Sequence, residues 1–274
     1  MKLGIISAPS EKGYAYVKNF GLDTAEFCIN VDHDAKQYLE RIDELKGYGK
    51  QYGVRVASIG RWGTRRLLND GSVNACEQEQ DFALIELAAA IGCPNFVCGC
   101  NGVEGMPFEE NAQLAVEYFR ALMQYAAPKG VNILVYNCDW ANIIFDKRGW
   151  DFALAQLPGL GIKYDTSHCI NRGGDYLWEI YEYGHLIGHF HIKGTLRIHG
   201  RNIPDPPAGL DDIQWGAVMA LLYTHGYEGA LSLEPHSRVW SEGARGDWGV
   251  RFTIDHMRRY VMPEDASDTG AFMP

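Results

Sequence analysis

Short apolar runs alternate with longer amphipathic stretches along the chain. The runs cover residues 3–7, 24–29, 54–60, 95–100, 132–138, 161–165, 188–193 and 229–235. Each run has the length of a β-strand and is rich in branched or aromatic side chains. In the stretches between them, apolar residues recur at spacings of three and four, which indicates helices. The pattern therefore predicts strands and helices in regular alternation.

The number of repeats selects one architecture. Gly53, Gly92 and Gly130 follow the last periodic residue of three stretches, where glycine commonly ends a helix. Eight strand–helix repeats in about 250 residues favour an α/β fold built as a single (β/α)8 TIM barrel over an open doubly wound sheet. No G-x-G-x-x-G motif follows the first strand, which weakens the dinucleotide-binding alternative. We expect the barrel to occupy residues 1–263, with a C-terminal extension at 264–274.

Composition excludes several classes of partner. The 274-residue chain has a formal net charge of −10, which disfavours a nucleic-acid partner because phosphate binding requires clustered Lys and Arg. No stretch reaches the roughly 18 to 20 apolar residues of a membrane span, and residues 1–13 are too polar for a secretory signal. The seven cysteines are an odd number and lie partly in apolar runs, which favours reduced thiols. We therefore expect a cytoplasmic protein.

Polar residues fall where the predicted strands end. In a parallel barrel these C-terminal strand ends form the active face. The sixth strand ends at Asp165, the seventh carries His191, and the eighth ends at Glu234. Carboxylates and an imidazole suit a divalent cation such as Mn²⁺, Mg²⁺, Co²⁺ or Zn²⁺. A helix cap, a buried histidine and an ion-pair partner would explain the residues one by one, but three adjacent strand ends favour a metal site.

The loops on the same face carry candidate substrate contacts. Trp62, Trp140 and Trp240 follow the third, fifth and eighth strands, and their flat rings suit the apolar face of a sugar or an aryl group, with core packing as the alternative. The long loop 194–212 has the character of a lid. Its Arg197 is either a contact to an anionic or polyhydroxy ligand or a solvated side chain.

Three short motifs resemble those of a known family. Segments 165–168, 191–193 and 233–235 read D-T-S-H, H-I-K and L-E-P. In this order and at these strand positions they are similar to the xylose isomerase-like barrel superfamily, which includes sugar phosphate isomerases/epimerases, ketose 3-epimerases and AP endonuclease family 2 proteins. The resemblance extends over nearly the whole chain. It implies Asp165, His191 and Glu234 as ligands of a divalent metal ion, for which Mn²⁺ is our first choice.

The resemblance also implies roles for neighbouring residues. Glu234 would be the proton-transfer base, and His168 would contact substrate oxygen atoms beside the metal. Lys193 would bind a sugar oxygen or stabilise an enolate, with a surface ion pair as the alternative. Asn137, at the end of the fifth strand, is a further candidate substrate contact.

One position departs from the family pattern. Family members usually carry a glutamate near the end of the fifth strand, as a fourth ligand and a second base. Here that position falls on Leu134 or Tyr136, and the nearest acid, Asp139, has the opposite strand parity. A two-base epimerase needs proton-transfer groups on both faces of the reacting carbon. The departure therefore favours chemistry with one main base.

Three functions are compatible with these residues. The first is a metal-dependent sugar isomerase or epimerase that transfers a proton next to a sugar carbonyl, with the metal polarising that carbonyl. The second is a keto-sugar (3-keto-glycoside) lyase or hydratase, in complex with a small partner subunit. The third is a sugar-binding barrel without catalysis. We expect a homo-oligomer in the first case, and the acidic charge disfavours DNA repair in all of them.

Overall fold

The structure is a computed structural model that describes residues 1–203 and 205–263. Its strands are β1 (Lys2–Ser7), β2 (Thr24–Cys28), β3 (Arg55–Arg61), β4 (Asn95–Cys98), β5 (Asn132–Tyr136), β6 (Gly161–Asp165), β7 (Ile187–Ile192), β8 (Leu196–Ile198), β9 (Arg201–Ile203) and β10 (Ala230–Leu233). Eight of them are parallel and close into a barrel in the order β1-β10-β7-β6-β5-β4-β3-β2. The other two, β8 and β9, form an antiparallel hairpin in the loop after β7.

Helices surround the barrel. Those described are α1 (Glu11–Asn19), α2 (Ile42–Tyr52), α3 (Ala75–Ile91), α4 (Phe108–Ala126), α5 (Lys147–Leu154), α6 (Thr166–Asn171), α7 (Tyr176–Tyr183), α8 (Trp215–Thr224) and α9 (Gly243–Arg258). Gly53 and Gly92, predicted to end helices, follow α2 and α3 with φ of 61° and 73°. The left-handed backbone at these caps explains the glycines.

The predicted single (β/α)8 barrel is confirmed. Each of the eight predicted runs overlaps one barrel strand, whereas the β8–β9 hairpin within the long loop was not predicted. The predicted extension, 264–274, lies outside the described residues. All seven cysteines lie within the described ranges, and none is in a disulfide. Within the same ranges, no helix combines the length and apolar composition that crossing a membrane requires.

Alternation along the strands separates an apolar layer from a polar interior. On β2, Ala25 and Phe27 belong to the main hydrophobic core, while Glu26 between them contacts histidines inside the barrel. Successive side chains of a strand point to opposite faces, so this difference follows directly from the sequence. The barrel interior therefore holds charged groups, and the apolar layer around the strands supplies most of the hydrophobic burial.

A buried ion pair anchors the loop after β3. The Arg66 guanidinium donates to Asp81 of α3 through Nε and Nη2, at 2.7 and 2.9 Å, and both side chains are fully buried. The Tyr118 hydroxyl donates to the same carboxylate at 2.9 Å. The Asn101 side-chain oxygen accepts from the backbone N–H groups of Arg66 and Leu67. These bonds fix the loop that begins at the end of β3, next to the active face.

Candidate active site

Three side chains converge at the C-terminal ends of adjacent strands. Ligand atoms of Asp165, His191 and Glu234 all lie within 4.8 Å of one another. The β6–β7 register pairs Asp165 with His191, and the Glu234 N–H donates to the Ile192 carbonyl at the end of β7. His191 Nδ1 lies 2.8 Å from Glu234 Oε2 and 4.0 Å from Asp165 Oδ2. The structure thus brings together the predicted metal ligands, whose role as ligands stays a prediction.

A residue not predicted from the sequence, Glu26, orients this histidine. The Nε2 atoms of His189 and His191 lie 2.6 and 2.8 Å from Glu26 Oε2. Burial raises the pKa of Glu26, but the charges of His191 and His189 outweigh it and lower the pKa well below its ordinary value. An ionised carboxylate only accepts hydrogen bonds, so both Nε2 atoms donate. In the sequence, the signal for Glu26 is an acidic residue within the largely apolar run 24–29.

The resulting arrangement fits a divalent cation. His191 Nδ1 faces the Glu234 carboxylate at 2.8 Å, and two acceptors at this distance require a proton or a metal ion between them. Burial lowers the pKa of His191, but Glu26 and the hydrogen bond with Glu234 raise it overall. Asp165 Oδ2 is buried and accepts no hydrogen bond. A carboxylate on the second nitrogen, as Glu26 provides here, is also typical of metal-binding histidines.

Asp165 both caps a helix and faces the cluster. Its Oδ1 accepts from the Ser167 N–H and hydroxyl at 2.8 and 2.7 Å, which caps α6, while Oδ2 points to the cluster. Asn137 exchanges two hydrogen bonds with the Asp165 backbone, of 2.8 and 2.9 Å, and is fully buried. Asn137 does not line the cavity described below, and its side-chain hydrogen bonds go to the Asp165 backbone.

Two buried lysines neighbour the carboxylates. Lys193 Nζ lies 3.2 Å from Asp165 Oδ2 and 3.4 Å from Glu234 Oε2, and Lys163 Nζ lies 3.8 Å from Asp165 Oδ2. Lys193 is only 5% exposed, so its ion pairs are not at the surface. Burial raises the pKa values of Asp165 and Glu234, but Lys193 and other neighbours lower both overall. Both carboxylates are therefore ionised at neutral pH.

His168 is held as a neutral imidazole. Burial lowers its pKa to about 3, against the opposing effect of the Asp165 charge. Its Nε2 lies 3.5 Å from both Asp165 Oδ2 and Lys193 Nζ. His168 lines the cavity, and a neutral imidazole there can exchange hydrogen bonds with hydroxyl groups.

A cavity of about 750 Å³ opens above the cluster. Trp62 and Trp140 line it together with His168, Lys193 and Glu234. The Trp62 ring stacks on Tyr136 with centroids 5.6 Å apart and an interplanar angle of 19°. The stack gives the cavity a flat aromatic wall next to the polar cluster, an environment that suits a sugar ring.

Two predicted substrate contacts lie elsewhere. Trp240 packs against Trp248 with centroids 5.9 Å apart and lines a small pocket of about 30 Å³, which shares Glu234 and Pro235 with the large cavity. The Arg197 guanidinium donates to the carbonyls of Ile170 and Gly200, because the β8–β9 hairpin turns it onto the loop backbone. Neither Trp240 nor Arg197 lines the large cavity.

The fifth strand contributes no carboxylate to the site. Leu134 and Tyr136 belong to a small apolar cluster with Trp62 inside the barrel. The Tyr136 hydroxyl donates to the Trp140 carbonyl at 2.8 Å. Asp139 is exposed and absent from the cavity lining that the structure describes. At β5, Leu134 and Tyr136 therefore occupy the positions where family members usually carry a glutamate.

The chain folds into a closed parallel barrel, and a polar cluster lies at the C-terminal ends of its strands. A family model described as xylose isomerase-like TIM barrel matches residues 14–259. The chain belongs to this family, as the resemblance of its motifs predicted. A comparison with curated proteins gave no match.

Solved structures with the same fold have few identical residues. D-allulose 3-epimerase from Methylomonas sp., in complex with D-allulose, has a TM-score of 0.77 at 17% identity, covering 95% of this chain and 97% of that one. For 3-keto-D-glucoside 4-epimerase from E. coli the TM-score is 0.73 at 17% identity, covering 94% and 99%. For the IolI protein with a zinc atom the TM-score is 0.75 at 16% identity, covering 96% and 100%. At this identity the likeness shows the shared fold.

Proposed function

We propose that this protein is a divalent-metal-dependent sugar isomerase or epimerase, which transfers a proton at the carbon next to a sugar carbonyl. The observation that carries the proposal is the convergence of Asp165, His191 and Glu234 beneath a cavity with an aromatic wall. The family and the activities of two structural neighbours, a 3-epimerase and a 4-epimerase, support it.

Asp165, His191 and Glu234 would hold the metal ion through one atom each. Mn²⁺ remains our first choice, and the zinc atom of the IolI protein supports a divalent ion in this fold. When bound, the ion would polarise the substrate carbonyl and stabilise the negative charge that develops on its oxygen. Glu26 would keep the His191 ring in the orientation that directs Nδ1 towards the ion.

Side chains that line the cavity would transfer the proton and bind the substrate. Glu234 is ionised and lines the cavity, so its carboxylate would accept the proton from the substrate carbon. Lys193 and neutral His168, both at the cavity surface, would bind the sugar oxygens next to that carbon. Trp62 would pack against the apolar face of the ring. These contacts would keep the carbon within reach of Glu234.

The apolar fifth strand favours a one-base reaction. With Leu134 and Tyr136 inside the barrel, no β5 carboxylate would return a proton to the opposite face of the carbon. Aldose–ketose isomerisation needs one base and is our first choice within the class. Elimination or hydration of a 3-keto sugar also needs one main base and is the second candidate.

Turnover in D₂O separates these reactions. With the metal-loaded protein and a panel of aldoses, ketoses and 3-keto sugars, we expect one deuterium in the product, with a single configuration at the labelled carbon. An unsaturated keto product would identify the lyase instead. The control is the same incubation after chelation and dialysis. Equal exchange in the control, or no exchange with any sugar, would contradict the proposal.

Glu26→Gln should weaken metal binding by about 10- to 100-fold, because the amide orients His191 less firmly than a carboxylate does. Titration of the metal-free variant with Mn²⁺ by calorimetry measures this. The matched control is Glu44→Gln, which makes the same change at an exposed ion pair of α2. Unchanged Mn²⁺ affinity in Glu26→Gln would remove Glu26 from the site.

A further inference from the structure

The cavity has a charge opposite to that of the whole protein. The chain carries a formal net charge of −10, yet among the described residues Lys12, Lys163 and Lys193 line the cavity with a single carboxylate, Glu234. A cleft lined by one sign of charge concentrates ligands of the opposite sign. The distribution indicates an anionic ligand, although the exterior of the molecule would repel one.

Lys163 is the most informative of these lysines. It lies on β6, is 1% exposed, and faces the barrel interior beside the Trp62 ring, with its Nζ 6.0 Å from the ring centroid. Its nearest charged partner is Asp165 Oδ2, at 3.8 Å. Among the described residues, no hydrogen bond reaches Lys163 Nζ. Lys163 lines the cavity, and its ammonium group has three donors, so these donors are open to a ligand bound there.

The neighbouring strand does not balance this charge. The β5–β6 register places Lys163 beside Tyr136, and the other interior residue of β5 is Leu134. Lys193, in contrast, has Asp165 and Glu234 within 3.4 Å. Lys163 therefore lies at the part of the cavity wall where protein acceptors are lacking.

We propose that the substrate is an acidic sugar whose carboxylate binds Lys163. This inference rests on the proposed function and specifies its substrate class. Lys163 is a single donor group against a flat indole, which suits a planar monoanion. A phosphate group would need further donors beside Lys163 for its terminal oxygens, but the neighbouring Lys193 already pairs with Asp165 and Glu234. No arginine lines the cavity in the part of the chain that the structure describes.

Three sugars that differ only at C6 test the inference. In the presence of Mn²⁺, we expect D-glucuronate to bind at least about tenfold more tightly than D-glucose, because a charge-assisted hydrogen bond is added. Quenching of the Trp62 and Trp140 fluorescence reports binding. Equal or tighter binding of D-glucose would overturn the inference. Tighter binding of D-glucose 6-phosphate would overturn the choice of carboxylate, and D-galacturonate with D-galactose repeats the test at the other C4 configuration.

Variants at Lys163 assign the contact. Lys163→Met should reduce D-glucuronate affinity to that of D-glucose measured with the same variant, whereas Lys163→Arg should retain the preference. Lys46→Met, which removes an exposed lysine from α2, is the matched control and should change nothing. Thermal unfolding verifies the fold, and Lys163→Gln replaces the methionine variant if that one is unstable. A preference for D-glucuronate that survives in the folded methionine or glutamine variant would contradict the assignment.

The two proposals fail in different ways. If neutral sugars exchange deuterium and sugar acids neither bind nor react, the substrate class is wrong and the proposed function stands. If sugar acids bind through Lys163 without exchange, the proposed function is wrong and the anion site stands. The absence of binding by every sugar in the panel would overturn both.

Discussion

Glu234→Gln should reduce turnover by about 10²- to 10⁴-fold, the usual contribution of a general base. Glutamine has nearly the same shape, but its amide does not accept a proton from carbon at neutral pH. The change also removes the negative charge that lies 2.8 Å from His191 Nδ1 and 3.4 Å from Lys193 Nζ. We therefore expect a folded barrel with very low kcat and a weaker metal site, measured by steady-state kinetics and metal titration.

The control lies on the same segment of the chain. Glu228→Gln makes the identical change at an exposed residue just before β10, at the opposite end of the barrel, and should leave kcat unchanged. If Glu234→Gln retains more than about a tenth of wild-type kcat at saturating metal, the base is a different residue.

Asp81→Ala should lower the free energy of unfolding by about 3–5 kcal/mol. The substitution leaves the Arg66 guanidinium fully buried without its carboxylate, and it also removes the acceptor of the Tyr118 hydroxyl. Desolvated charges cost far more to leave unpaired than exposed ones. Urea denaturation of the metal-free protein measures the loss.

An exposed pair provides the comparison. Lys147 and Asp151 form an ion pair of 2.6 Å on α5, with each side chain about half exposed, so Asp151→Ala should cost less than about 1 kcal/mol. Equal losses in the two variants would show that burial of the Arg66–Asp81 pair does not determine its contribution.

Strand parity made the centre of the site predictable. Asp165, His191 and Glu234 were identified because each ends or nearly ends a strand, and the C-terminal ends of parallel strands meet at one face of a barrel. The number of strand–helix repeats likewise made the barrel architecture predictable. Local pattern is sufficient in both cases, because the direction of a strand side chain follows from its position in the run.

Glu26 and the loop residues needed the tertiary structure. Glu26 and His191 are separated by 165 positions, and their contact exists only because the barrel is closed. Trp240 and Arg197 lie in loops, where periodicity gives no direction, and neither lines the large cavity. Asn137 is on the predicted face, but its hydrogen bonds go to the Asp165 backbone, a pairing across strands that the sequence does not encode locally.

The division of the barrel strands into an outward face, which packs against the helices, and an interior face has a consequence for evolvability. On β2, Phe27 packs into the hydrophobic core, whereas its neighbour Glu26 belongs to the ionic interior. Substitutions at interior positions such as Leu134 and Lys163 can therefore alter specificity without disturbing the contacts between strands and helices. A combinatorial library restricted to these interior positions would retain a higher fraction of folded members than one of equal size at the outward positions of the same strands.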